Sequence, residues 1–134
     1  MKVLLVNGSP HEKGCTHQAL SIVREAIEKE GIQTEEFWIG NKPLTGCVGC
    51  GYCAKKGRCR YEDRVNEFLD EGKEYDGFVF GVPVHFASAA ASMSAFMDRS
   101  FFVDHCADLK LFELKPGVMN EQRIQSAVLT ADGG

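Results

Sequence analysis

Lys2-Val3-Leu4-Leu5-Val6-Asn7, running straight into Gly8-Ser9-Pro10-His11-Glu12-Lys13-Gly14-Cys15-Thr16, is the stretch from which the fold can be read. A short apolar run with β-branched residues and a turn behind it fits a buried parallel strand, which is covered on both faces and need not alternate. Gly8-Ser9-Pro10 stops it. From Thr16 onward Ala19, Ile22, Val23, Ala26 and Ile27 recur at helical spacing, and Gly31 stands where a helix is closed. Strand, small polar loop and helix form the geometry that turns free backbone N–H groups toward a phosphate. The loop matches neither G-x4-G-K-[ST] nor G-x-G-x-x-G. Ser9 and Thr16 offer hydroxyls and His11 or Lys13 a charge, while the same residues also make a plain strand-to-helix turn with a threonine cap.

Working outward, Gln33 to Ile39 predicts a second strand whose Thr34, Glu35 and Glu36 suit a sheet edge. Asp63 is placed to cap a short helix with Val65, Phe68 and Leu69 on one face and Gly72 beyond its end. Asp76 to Val84 predicts a third strand, with Pro83 ending its pairing. His85 to Ser88 reads as a loop, and Ser88 to Phe102 as a helix with Met93, Phe96, Met97 and Phe101 as its packing stripe. Val103 to Gln125 shows no clear period, and Ser126 to Thr130 fits a fourth strand. This alternation predicts an α/β fold, a doubly wound parallel sheet with strand order 2-1-3-4. Ligands bind such sheets beyond the carboxyl ends of the strands, where the strand order reverses. The loops after Asn7 and after Val84 flank that point.

A second stretch carries chemistry of another kind. Cys47, Cys50, Cys53 and Cys59 are spaced C-x2-C-x2-C-x5-C among Gly46, Gly49, Gly51 and Gly57, in the loop after the second strand. Thiols at steps of three in a glycine-rich loop can face one point, and an inorganic centre is the natural object. Zinc sites usually set two C-x2-C pairs ~15–20 residues apart, whereas a C-x2-C-x2-C run resembles the cysteine triplet of ferredoxin clusters. The spacing favours iron–sulfur, with zinc and free thiols as alternatives. Cys106, beside His105, has no partner at useful spacing and reads as structural, and Cys15 either joins the phosphate loop or fills its turn.

The remaining properties bound these readings. A chain of 134 residues, 44% hydrophobic and 25% charged, makes one domain over 1–134, with the cysteine loop at 46–60. A net charge of −4 gives no support to nucleic-acid binding. The basic run Lys55, Lys56, Arg58 and Arg60 reads as a solvated loop that also offsets the charge of a thiolate-bound cluster. No signal peptide or membrane-length apolar run is visible, so the expected location is cytoplasmic, where thiols stay reduced.

The residues also resemble a known family. V-N-G-S-P-H-E-K-G-C-T resembles the G-S-P-R-x-x-G-N-T phosphate loop of the flavodoxin-like, NADPH-dependent FMN reductase group. G-V-P-V-H-F-A-S is similar to its P-x-Y-F-x flavin loop, and A-F-M-D-R to its K-x-F-x-D-R helix segment. The compact cysteine run is similar to that of the iron–sulfur flavoproteins, a branch binding FMN and a [4Fe–4S] cluster. The resemblance covers Met1 to about Phe102. It implies that Ser9, His11, Cys15 and Thr16 bind the FMN phosphate, that Pro83, Val84, His85 and Phe86 line the isoalloxazine ring, and that Cys47, Cys50, Cys53 and Cys59 ligate the cluster. It implies an electron-transfer flavoprotein and FMN-dependent oxidoreductase, served by a ferredoxin-like donor or NAD(P)H and passing electrons to a small-molecule acceptor such as a quinone or an oxygen species. A cluster-free NAD(P)H-dependent FMN or quinone reductase is the alternative enzyme, and a degenerate binding domain the non-enzymatic one.

The chain departs from the pattern at His11, where Arg or Lys is usual, at Cys15, where Asn or Ser is common, and at His85, which replaces Tyr. Family members continue past the fourth strand with a helix, a fifth strand and a final helix. Their absence before Gly134 leaves an open sheet edge, which predicts a homodimer, tetramer or similar assembly.

Overall fold

Strand β1 (Lys2–Asn7) lies between two parallel neighbours, and its side chains divide between the two faces of the sheet. Val3 and Leu5 pack with Leu20 of helix α1 (Cys15–Lys29), alongside Val23 and Ile27. Leu4 and Val6 face the opposite way, into a larger cluster that includes Phe37, Phe68, Phe80 and Phe96. Burial on both faces is what an unbroken apolar run requires of a parallel strand.

The computed structural model describes residues 1–113 and 128–131. Strand β2 (Gln33–Trp38) pairs with β1 on one side, from Lys2 opposite Gln33 to Asn7 opposite Trp38. Strand β3 (Gly77–His85) pairs on the other, from Val3 opposite Gly77 to Asn7 opposite Gly81. The two-residue strand β4 (Ser88–Ala89) folds back antiparallel on the end of β3, and β5 (Val128–Ala131) pairs parallel with β3. The four parallel strands therefore take the expected 2-1-3-4 order of a flavodoxin-like sheet, β5 being the fourth of them. It falls two residues later than the start predicted at Ser126, and positions 114–127 lie outside the described residues. Helices α2 (Tyr52–Lys56), α3 (Arg64–Gly72) and α4 (Ala91–Ala107) complete the described elements.

Several boundaries differ from the sequence reading. Helix α4 begins at Ala91 rather than Ser88, because Phe86 and Ala87 take φ of +50° and +59° and turn the chain back so that Ser88 pairs with His85. It ends at Ala107, five residues beyond Phe102, since buried Val103 continues the face of Phe96 and Asp108 closes the helix in the left-handed region. Pro83 does not end β3. Pairing with β1 has already stopped at Gly81, so a residue without an N–H is tolerated there, and Pro83 still pairs with Ala131. Asp63 caps α3 as expected by accepting from the Val65 N–H, and Gly72 is that helix's last residue rather than lying beyond it.

Gly81 fixes how closely α1 approaches the sheet. A Cβ there would stand 2.8 Å from Leu20 Cγ and 2.9 Å from both its methyl carbons. Leu20 is fully buried and has nowhere to retreat without moving the helix. Gly81→Ala is expected to lower stability by about 1–3 kcal/mol, the usual cost of overpacking a filled core. Urea unfolding measures this, and a loss below about 0.5 kcal/mol would show that α1 can shift freely.

Candidate functional site

Asn7, the last residue of β1, organises the loop that follows it. Its Oδ1 accepts from the Ser9 N–H at 3.0 Å, and its Nδ2 donates to the Glu12 carbonyl at 2.9 Å and to Glu36 Oε1 at 3.0 Å. Glu36 is held in turn by His17 Nδ1 at 2.9 Å and Arg24 Nη2 at 3.2 Å. Ser9 Oγ accepts from the His11 N–H at 3.1 Å, and Trp38 Nε1 donates to the Ser9 carbonyl at 2.7 Å. The sequence reading passed over Asn7, although a side-chain amide ending an apolar strand before a turn is a recognisable signal.

The loop leads into the start of α1. Gly14 occupies the cap position with no side-chain bond, and the first turn carries no acidic residue. Thr16 is therefore not the cap. It is 1% exposed, and its Oγ1 is buried without a hydrogen-bond partner among the described residues. An orphaned hydroxyl beside the unsatisfied N–H groups of a helix N-terminus fits an anion such as a phosphate. Ser9 is buried too, while His11 and Cys15 are exposed.

The end of β3 lies against this loop. The Gly8 N–H donates to the Gly81 carbonyl at 2.8 Å, and a Cβ on Gly8 would meet Met93 Cε of α4 at 2.5 Å. Beyond Gly81, Pro83 is buried, Val84 half-buried, and His85 and Phe86 exposed. Phe86 stands fully in solvent at the tip of a turn whose two central residues both have positive φ without being glycine. Such a conformation costs an L-residue about 1–2 kcal/mol and tends to persist at the edges of binding sites. The loop expected to line a flavin ring thus stands next to the loop expected to hold its phosphate.

Cys47, Cys50, Cys53 and Cys59 line a single small cleft, open in part to solvent, together with Tyr61, Arg99 and Phe102. Cys53 is buried, Cys59 half-buried, Cys47 and Cys50 exposed, and no disulfide forms among the described residues. Among the described residues no three Cys, His, Asp or Glu side chains stand close enough to hold a metal ion, so the four sulfurs share the cleft without converging. A feature the sequence did not suggest is α2, set inside the thiol loop between Gly51 and Gly57, whose φ of +71° and +73° place both in the left-handed region. It buries Cys53.

The thiol loop is pinned at several points. Asp98 Oδ2 accepts from the Cys47 N–H at 2.8 Å, and the Gly49 N–H donates to Cys47 Sγ at 3.4 Å. Asn66 of α3 accepts from the Cys59 N–H at 2.9 Å and donates to the Cys59 carbonyl at 3.0 Å. Arg99 points its Nη2 at Cys59 Sγ, 3.2 Å away. N–H donors aimed at sulfur fit thiolates that ligate an electron-rich centre. The sequence reading gave neither Asn66 nor Asp98 a part in the thiol loop, because each sits on a helix outside it and only folding brings it near.

Cys106, which has no partner at useful spacing along the chain, gains a neighbour in the fold. The extension of α4 to Ala107 brings it beside Cys53, whose thiol is pushed above its usual range first by burial and then by Cys106. No helix among the described residues is long and apolar enough to cross a membrane.

Comparison with known proteins agrees with this arrangement. The family model described as NADPH-dependent FMN reductase matches residues 1–129. An iron-sulfur flavoprotein of Methanocaldococcus jannaschii is 40% identical over 100 residues, covering 75% of this chain and 52% of that protein. Another, from Archaeoglobus fulgidus, is 31% identical over 110 residues, covering 82% of this chain and 50% of that protein. The chain thus spans about half the length of these relatives. Among solved structures, a flavone reductase superposes with a TM-score of 0.56 at 19% identity over 74% of this chain and 29% of its own, and a RosB structure with 0.56 at 20% identity over 72% and 40%. At that identity the superpositions speak for the fold alone. By its sheet order, its paired loops and the match over residues 1–129, the chain belongs to the NADPH-dependent FMN reductase family.

Proposed function

We propose that the chain is an electron-transfer flavoprotein that binds FMN at the loops after β1 and β3 and a [4Fe–4S] cluster at Cys47, Cys50, Cys53 and Cys59. One observation carries the reading: α4 touches both sites. Its Met93 lies under Gly8 of the phosphate loop, and its Asp98 and Arg99 reach the Cys47 and Cys59 ends of the thiol loop. Six residues separate Met93 from Arg99, about 9 Å along a helix axis. When bound, the cluster would supply single electrons and the flavin the capacity to hold two.

The chain's own residues bind and orient. Thr16 and Ser9 meet the phosphate with hydroxyls, and His11 stands at the mouth of the loop. Pro83 and Val84 form the buried base of the ring site, and His85 and Phe86 its exposed rim. The same reading carries a ferredoxin-like protein or NAD(P)H as electron source, a small-molecule acceptor, a cytoplasmic location and a homodimer or tetramer.

Protein purified without oxygen tests this directly. About four irons with matching sulfide and one FMN per chain are expected. Cys50→Ser is expected to lose at least tenfold in bound iron and sulfide while FMN stays at wild-type stoichiometry, because the two sites are separate loops. Zinc without sulfide would overturn the cluster. A second reading, a cluster-free NAD(P)H-dependent FMN or quinone reductase, is favoured by the unconverged sulfurs. Flavin without iron, with steady NAD(P)H oxidation, would select it.

A further inference from the structure

We propose that Arg99 is the positioning residue of the thiol loop, holding the Cys59 sulfur and tying the loop's two ends together; the identity of the centre it serves rests on the reading above. Arg99 stands inside α4 and is 1% exposed, an unusual place for a guanidinium. Its Nε lies 3.4 Å and its Nη2 3.2 Å from Cys59 Sγ. Nη1 donates to the Thr45 carbonyl at 3.4 Å and to Asp63 Oδ2 at 2.7 Å. Nη2 also donates to the Tyr61 carbonyl at 3.2 Å and to Asp63 Oδ1 at 3.0 Å.

Thr45 precedes the first cysteine and Tyr61 follows the last, so one side chain closes the loop at both ends. The bidentate pair with Asp63 compensates the buried charge and fixes the plane of the fork. That pair would suffice for a purely structural ion pair. The donors directed at Cys59 Sγ are additional to it, and only a planar fork reaches a sulfur, a carboxylate and two carbonyls at once. Lysine keeps the charge but cannot span these partners.

Full-length Arg99→Lys and Arg99→Gln test the assignment in two arms. In metal-free protein with FMN bound, trypsin cleavage after Lys55, Lys56, Arg58 and Arg60 is followed by mass spectrometry. Cleavage in Arg99→Gln is expected to be at least tenfold faster than in wild type, with FMN retained. Equal rates would overturn the closing role. In protein loaded with iron and sulfide, the ratio of reduced to oxidised cluster at a fixed ambient potential is expected to fall at least tenfold in both variants, equivalent to about 59 mV for a one-electron couple. Loss of N–H donors to sulfur makes an added electron less favourable, and a merely structural arginine would leave the ratio unchanged. An unchanged ratio would overturn the contact with sulfur. If Arg99→Gln does not fold, Arg99→Lys carries both arms. Wild-type protein that takes up no iron would overturn the cluster reading alone, and the cleavage rates then decide the role of Arg99.

Discussion

Phe68→Ala is expected to lower the unfolding free energy by about 3–5 kcal/mol, the range for removing a large aromatic from a filled core. Phe68 is completely buried on α3, and its ring is the hub of the larger cluster. It meets Phe96 of α4 edge-on at 5.1 Å, Phe78 of β3 at 5.5 Å and Phe37 of β2 at 5.6 Å, with Phe80 and Phe112 at 6.3 Å. Aromatic pairs at such distances add about 0.5–1.5 kcal/mol each beyond the area they bury. The neighbouring rings of β2, β3 and α4 cannot all close on the vacated volume, because each is also held by its own strand or helix. Since a domain of this size is stable by about 5–15 kcal/mol, the variant should lose a large share of its stability. Urea unfolding of wild type and variant, both without FMN, measures it. A difference below about 1 kcal/mol would show that the cluster repacks freely and that Phe68 is not its hub.

The sheet was legible because its signal is local. The apolar run of β1, the charged start of β2 and the run of β3 each name their own burial, and connection rules then leave few orders to choose among. Helix ends were harder. Nothing in Phe86-Ala87 suggests positive φ, since glycine or asparagine usually fills such turns, and the hairpin it forms displaced the start of α4 by three residues. The cysteines were legible by spacing. Their pins were not, because Asn66, Asp98 and Arg99 lie 7, 51 and 40 residues from the groups they hold and only folding brings them near. Asp98 and Arg99 were visible only as part of a helix motif. Thr16 shows the limit in the opposite sense: the residue was identified, but whether it capped a helix or faced a ligand depended on where the helix begins.

Thr16→Val is expected to move two quantities in opposite directions. In the absence of FMN the Oγ1 hydroxyl is buried with no partner among the described residues, and an unsatisfied buried hydroxyl costs about 1–3 kcal/mol. Valine keeps the β-branch that suits this tightly enclosed position and removes the polar atom, so apo stability should rise by up to about 1 kcal/mol. With FMN present the same hydroxyl would donate to a charged phosphate oxygen, a bond worth about 1.5–3 kcal/mol. Its loss should raise the FMN Kd by about 10–100-fold. Riboflavin separates this from a general loosening of the loop. It has the ring but no phosphate, so its affinity should be unchanged by the substitution. Fluorescence titration with both ligands, alongside urea unfolding of the apo protein, reads all three quantities. An equal loss for FMN and riboflavin, or a fall in apo stability, would mean that Thr16 supports the loop rather than the ligand. The orphaned hydroxyl would then be no mark of a phosphate site, and the case for FMN would rest on the loop after β3 alone.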